Sequence, residues 1–238
     1  MVKKICAPTP KNRFVFVRLP VIALKTLLLT GLSVVILAGL SAGILAGCQG
    51  TLFETRSDEP PPSVTVSGIQ PVSPQPPGEQ FRPGLSVLYF DKFFERHINK
   101  LPVGKEALKR GTPGKPIPYL NHRFGESNVF DSRNNRGIGM QMTGLLRFDR
   151  TGDYVFKVKS NDGFRMFVGD RMVLDDPTVH ADRFSAPATV RMNIAGWYPL
   201  MIQYFQRKGT ATVELYWQPP GAADFSVVPP EAYAHLPM

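Results

Sequence analysis

The stretch Thr151-Gly-Asp-Tyr-Val-Phe-Lys-Val-Lys-Ser-Asn-Asp-Gly-Phe-Arg-Met-Phe-Val-Gly-Asp-Arg-Met-Val-Leu-Asp-Asp-Pro177 decides the fold. Apolar residues recur in it at every second position. Gly-Asp, Asn-Asp-Gly, Gly-Asp and Asp-Asp-Pro break the runs, which is the sequence form of strands joined by tight turns. Tyr154, Phe156 and Val158 oppose Lys157 and Lys159, and Phe164, Met166 and Val168 oppose Arg165. Asn161-Asp162-Gly163 between these runs predicts a hairpin turn, because Asn, Asp and Gly tolerate the positive φ that such turns demand.

The alternation continues outward on both sides. Upstream, Ile138, Met140, Met142, Leu146 and Phe148 share one face, with Gly144 in the single small place and Gln141, Thr143 and Arg147 opposite. Downstream, Ala188 to Ile194 reads as a strand. Leu200, Ile202 and Tyr204 then alternate with Gln203, and Val213, Leu215 and Trp217 with Thr212, Glu214 and Gln218; Arg207-Lys208-Gly209 reads as the turn between these two. The class is all-β. Near the start, Leu85 to Phe90 reads as a short strand. Lys92 to Leu101 reads as one short amphipathic helix capped by Asp91, with Phe93, Phe94, His97, Ile98 and Leu101 on its core face. Gly104 to Ser127 is rich in Gly and Pro and reads as loop. Gly111-Thr-Pro-Gly-Lys115 lacks the spacing and the following Ser or Thr of a phosphate loop.

The formal net charge of +9 suggests nucleic acid or anionic lipid as a partner, but its distribution removes that reading. Residues 1–47 hold six of the 28 Lys and Arg and none of the 19 Asp and Glu, so the remainder is only +3. No nucleic-acid partner is expected. The six cations precede an apolar run, Leu27 to Ala46, as in export signals and membrane anchors. Leu45-Ala-Gly-Cys48 closes the run and resembles the lipobox of bacterial lipoprotein signal peptides. That resemblance implies cleavage before Cys48, a diacylglycerol on its thiol and an acylated (palmitate-type) amino terminus. Gln49, not Asp, follows, which implies the outer membrane. A retained signal anchor stays open as the alternative, since about 20 apolar residues suffice to span a bilayer. Either way the remainder lies outside the cytoplasm.

Only two Cys occur, Cys6 in the signal and Cys48 at the lipid site, so no disulfide is available to the mature chain and its core must hold it. Gln49 to Pro83 contains eight prolines among Ser, Thr, Gln and Gly and reads as an extended tether reaching up to roughly 100 Å. The expected organisation is therefore a signal peptide over 1–47, a lipidated Cys and tether over 48–83, and a folded β domain over 84–238.

Several blocks in order resemble the anthrax protective-antigen domain, the PA-fourteen module of bacterial toxins, adhesins, glycosidases and yeast flocculins. They are Gly84-Leu-Ser-Val-Leu-Tyr89, Thr143-Gly-Leu-Leu146, Gly152-Asp-Tyr-Val-Phe156, Ser160-Asn-Asp-Gly163 and Met166-Phe-Val-Gly-Asp170. Ala195-Gly-Trp-Tyr-Pro199, Ile202-Gln-Tyr-Phe205, Leu215-Tyr-Trp-Gln-Pro-Pro-Gly221 and Val228-Pro229 complete the set. The resemblance implies a jelly-roll-like β-sandwich that serves as an accessory binding module. In its sugar-binding branch an Asp-Asp pair joined by a cis peptide holds calcium, which in turn binds sugar hydroxyls. The matching positions are Asn161 and Asp162, and an Asn amide supplies no charge, so a weakened or vestigial calcium site is implied. Asp175-Asp176 before Pro177 is a second, weaker carboxylate pair. Both stretches also read as plain turns.

Catalysis finds little support. No Gly-x-Ser-x-Gly elbow occurs, and the four His (His97, His122, His180, His235) show no metal-ligand spacing. Two readings from different classes remain: a lipid-anchored module that binds glycans, and a protein-interaction or structural module that docks on an envelope protein through an exposed apolar patch.

Overall fold

The computed structural model describes residues 64–237. The predicted signal peptide, Cys48 and the first part of the tether lie outside the described residues. In chain order the strands are β1 (Val64–Val66), β2 (Arg82–Pro83), β3 (Ser86–Asp91), β4 (Thr112–Pro113) and β5 (Asn121–Gly125). The long central ones follow: β6 (Ile138–Phe148), β7 (Gly152–Ser160), β8 (Phe164–Val168) and β9 (Arg171–Asp176). The remainder are β10 (Arg183–Phe184), β11 (Ala188–Met192), β12 (Gly196–Gln206), β13 (Ala211–Gln218), β14 (Ser226–Val227) and β15 (Tyr233–His235).

These strands form two sheets. One has seven strands in the order β1-β11-β7-β13-β14, with β10 also on β7 and β5 on β13. The other has eight in the order β2-β15-β6-β12-β8-β9, with β3 also on β6 and β4 on β3. The predicted alternation supplies both inner faces. Tyr154, Phe156, Val158, Val213 and Leu215 face in from the first sheet, and Met140, Met142, Phe148, Leu200 and Ile202 from the second, all buried. Phe148 sits edge-on between Tyr154 (4.8 Å) and Tyr198 (5.3 Å). Each such side chain stabilises the fold by about 1.5–3 kcal/mol through burial alone. Gly144 is the small place for a steric reason: a Cβ there would strike the Ala234 carbonyl.

Four expectations need correction. First, Asn161-Asp162-Gly163 is no hairpin turn, because β7 belongs to the seven-stranded sheet and β8 to the eight-stranded one. Second, Arg207-Lys208-Gly209 is the turn between β12 and β13 as predicted, but it also crosses between sheets. The true tight hairpin is β8–β9, where Val168 pairs with Arg171 around Gly169 and Asp170. A period of two is the same in either sheet, so alternation locates a strand without saying which sheet receives it.

Third, Lys92–Leu101 is not a helix. β3 runs through Asp91, paired with Ile138, and Lys92 then turns at φ 59°. Only Ile98–Lys100 makes a 3₁₀ turn, capped by the His97 ring nitrogen, which accepts from Asn99 N at 3.2 Å. Most of the apolar residues are buried as expected, but in an irregular segment: Phe90, Phe93, Ile98 and Leu101 cluster with Ala107 and Phe205, whereas Phe94, also expected on the core face, is exposed. The helix, α1 (Gly104–Arg110), lies in the stretch read as loop. It buries only Ala107, so it has almost no apolar stripe to detect.

Fourth, the tether ends before Pro83. Val64, Thr65 and Val66 pair in parallel with Ala188, Thr189 and Val190 of β11, and Ile69 is buried in the core. A short β-branched run between prolines has no ladder of its own, yet an open sheet edge accepts it. Among the described residues no helix is long and apolar enough to cross a membrane.

Candidate functional site

The sequence-predicted residues meet at the corner where β7 passes into β8. Asp162 adopts φ 62°, a left-handed conformation that Asp tolerates better than most residues. Its backbone N–H donates to the His180 carbonyl (3.1 Å), and Asn161 N–H donates to that of Thr212 (2.9 Å). The Asp162 carboxylate accepts from the backbone N–H groups of Arg207 (2.6 Å) and His180 (3.2 Å). Asn161 Nδ2 donates to Asp182 at 2.9 Å, and the Thr212 hydroxyl donates to the other Asp182 oxygen at 2.7 Å. Asn161 and Asp162 are only 8% and 5% exposed. One carboxylate thereby fastens three loops, those at 161–163, 178–182 and 207–209. Gly163 closes the corner, since a Cβ there would meet the Phe205 ring.

Asp175 and Asp176 point to opposite sides of β9. Asp175 faces outward and accepts from Arg165 at 2.7 Å. Asp176 is buried and accepts from Arg183 Nη2 (2.5 Å) and Nε (3.2 Å). His180 Nε2 lies 3.2 Å from Asp176, close enough for charge attraction though poorly aligned for a hydrogen bond. Burial raises the Asp162 pKa, and the backbone donors from Arg207 and His180 only partly oppose that. Burial also works against the Asp176 anion, but its contacts with His180 and Arg183 outweigh it and hold its pKa below the ordinary range.

This donor set does not fit calcium, which wants six to eight oxygens with several carboxylates among them. The Asp162 oxygens are turned to backbone donors, the Asn161 amide to Asp182, and Asp176 to Arg183. Among the described residues no three His, Cys, Asp or Glu side chains converge as a metal site. The Asn161–Asp162 peptide is trans. The corner is a hydrogen-bonded lock between the sheets.

A second place escaped sequence reasoning. On the outer face of the eight-stranded sheet Trp197 stands directly opposite Arg147, whose guanidinium lies 5.9 Å from the indole. Phe81 leans on Trp197 at 4.7 Å between centroids. A hollow opens on either side of this aromatic pair. One, of about 480 Å³, is lined by Phe81, Arg82, Trp197 and Glu231; the other, of about 450 Å³, by Phe81, Arg147, Asp149 and Trp197. The backbone beneath the indole is fixed: the Trp197 amide N–H donates to Gln75 Oε1 (2.7 Å), and its carbonyl accepts from Val72 N–H (2.9 Å) and Gln75 Nε2 (3.2 Å). The site was missed because half of it comes from residues 72–83, read as free tether. Its one signal was Trp197 lying out of phase with the inward run Tyr198, Leu200, Ile202.

Residues 121–230 match the sequence model of the PA14 domain. Those residues, just under half of the chain, form a PA14 domain. Solved structures agree on the fold. The PA14 domain of the MpAFP antifreeze protein is 12% identical at TM-score 0.53, with 69% of this chain and 96% of that one covered. An anti-sigma factor domain-containing protein from Clostridium clariflavum is 19% identical at TM-score 0.52, covering 66% of this chain. The chain spans about half, 48%, of that protein's length. The Epithelial Adhesin 9 A domain from Candida glabrata, solved with Galb1-4GlcNAc, is 14% identical at TM-score 0.50, with 71% and 96% covered. No curated protein matches the chain.

Proposed function

We propose that this PA14 domain is a non-catalytic glycan-binding module, held outside the cytoplasm, at the outer membrane, by a lipid on Cys48. The observation that carries the reading is Trp197: a half-buried indole packed by Phe81 and Arg147 on a sheet surface, with a hollow and charged hydrogen-bonding groups on each side. Sugar rings present apolar C–H faces that pack on aromatic rings, while their hydroxyls need donors and acceptors around the rim. Arg147, Asp149, Arg82 and Glu231 supply both. Each hollow falls in the range of about 300–1,000 Å³ usual for small-ligand sites. The likeness to a sugar-bound adhesin supports the same class. Because the corner donors are turned inward, binding at Trp197 needs no calcium.

The envelope-docking reading has less behind it. Val103 and Leu108, at and on α1, are 59% and 69% exposed. A stable protein interface removes on the order of 1,200–2,000 Å² from water, far more than two side chains supply.

The test is a glycan-array profile of the full chain, with and without calcium. A set of bound glycans that is unchanged by chelation and weakened about tenfold or more by Trp197→Ala is expected. Binding indifferent to Trp197→Ala, or no glycan bound at all, would overturn the proposal.

A further inference from the structure

The opposite face of the sandwich carries a different surface. On the outer side of the seven-stranded sheet Lys159 pairs across with Glu214 and Phe184, and Lys157 with Tyr216. The Lys157 ammonium lies 4.6 Å from the Phe184 ring and 4.0 Å from that of Phe225. Phe184 packs edge-on against Tyr216 at 5.6 Å and is 48% exposed. Three aromatic rings and two lysines thus share one patch.

The charges on this patch are unequal. Glu214, only 2% exposed, is neutralised by Arg123 through a close Nε–Oε1 contact and accepts from the Tyr216 hydroxyl at 2.9 Å. Asp182 at the rim has both oxygens taken by Asn161 and Thr212. Lys157 and Lys159 enter none of the ion pairs formed among the described residues. Two residues apart on one strand, they stand about 7 Å apart on the same face. Ordering a lysine costs side-chain entropy, and the two rings around Lys157 meet part of that cost before any ligand arrives. The cation is preorganised.

We propose that this face binds an acidic polysaccharide, a chain of sugar rings with repeated carboxylate groups. The anions would sit on Lys157 and Lys159, and the C–H faces of the sugars on Phe184, Tyr216 and Phe225. A purely charged polymer would use the lysines and leave the rings idle; a neutral glycan would use the rings and leave the lysines idle. This site is separate from Trp197, so either can fail alone.

The test measures binding of the full chain, in non-ionic detergent, to polygalacturonate, with dextran as the neutral control and polyphosphate as the charge-only control. Polygalacturonate should bind with an affinity that falls as salt rises. Lys157→Gln with Lys159→Gln should weaken it about tenfold or more, and Phe184→Ala about threefold or more. Both lysines are surface groups, so unchanged melting temperatures will verify the fold of the variants. Retained affinity in the double lysine variant would overturn the proposal. So would polyphosphate binding as tightly as polygalacturonate with Phe184→Ala without effect, since that describes charge alone.

Discussion

At the scale of residues, the corner is held by buried groups whose protonation is linked to folding. Burial works against the His180 cation, but its contact with Asp176 outweighs this and raises its pKa above the ordinary 6.5. A group that holds its proton more tightly when folded stabilises fully below its unfolded pKa, and that contribution is lost as pH rises through the folded value. Stability should therefore fall as pH is raised from 6.5 through neutral, and His180→Gln should flatten that segment. Urea unfolding across the range reads the slope directly; equal slopes in both proteins would remove His180 from the account. In acid Asp176 acts the other way, since its lowered pKa gives stability present above the ordinary 3.8 and lost as pH falls below it. Asp162, raised by burial, partly offsets that loss by gaining stability as it protonates.

Among elements, the segment after β3 separates two readings of the same apolar residues. With Lys92 at φ 59°, a side chain is held where L residues are strained by about 1–2 kcal/mol. Lys92→Gly should relieve this and stabilise the protein by about 0.5–1 kcal/mol, after allowing for the greater freedom of glycine when unfolded. Were Lys92 in the first turn of a helix, the same change would destabilise by about 1 kcal/mol. The sign of the shift in urea midpoint decides between them. Phe93, Ile98 and Leu101 were legible as core residues because burial needs only their apolarity. Their backbone was not, since spacings of three and four also arise when an irregular segment folds back on a hydrophobic cluster.

For the whole molecule, the two outer faces carry different chemistry, an indole between hollows that each hold one Arg and one carboxylate on one side and a lysine–aromatic patch on the other. Because β1 begins at Val64, only 15 residues separate Cys48 from the sandwich. A lipid on Cys48 would hold the domain within roughly 50 Å of the membrane surface, half the reach of a tether continuing to Pro83. Cys48→Ser should leave an unprocessed precursor that takes up no labelled fatty acid. Normal processing of that variant would overturn the lipoprotein reading.

The sequence by itself determined the all-β class, the positions of the long strands and the inward set from Ile138 to Trp217. Alternation is a local property, written into neighbouring residues by the pleat. It also marked Asn161, Asp162, Asp175 and Asp176 as special, but not what they do. Whether Asn161-Asp162-Gly163 turns a hairpin or carries the chain between sheets depends on which strands β7 and β8 find, and those partners lie tens of residues away. That crossing turns the Asp162 carboxylate to backbone donors at 180 and 207 rather than outward to a cation. Trp197 became a site only when residues 72–83 folded back over it, and Lys157 only when Phe184 and Phe225 arrived from two other segments. Such surfaces are made by contacts distant in sequence, and tertiary structure alone decides them.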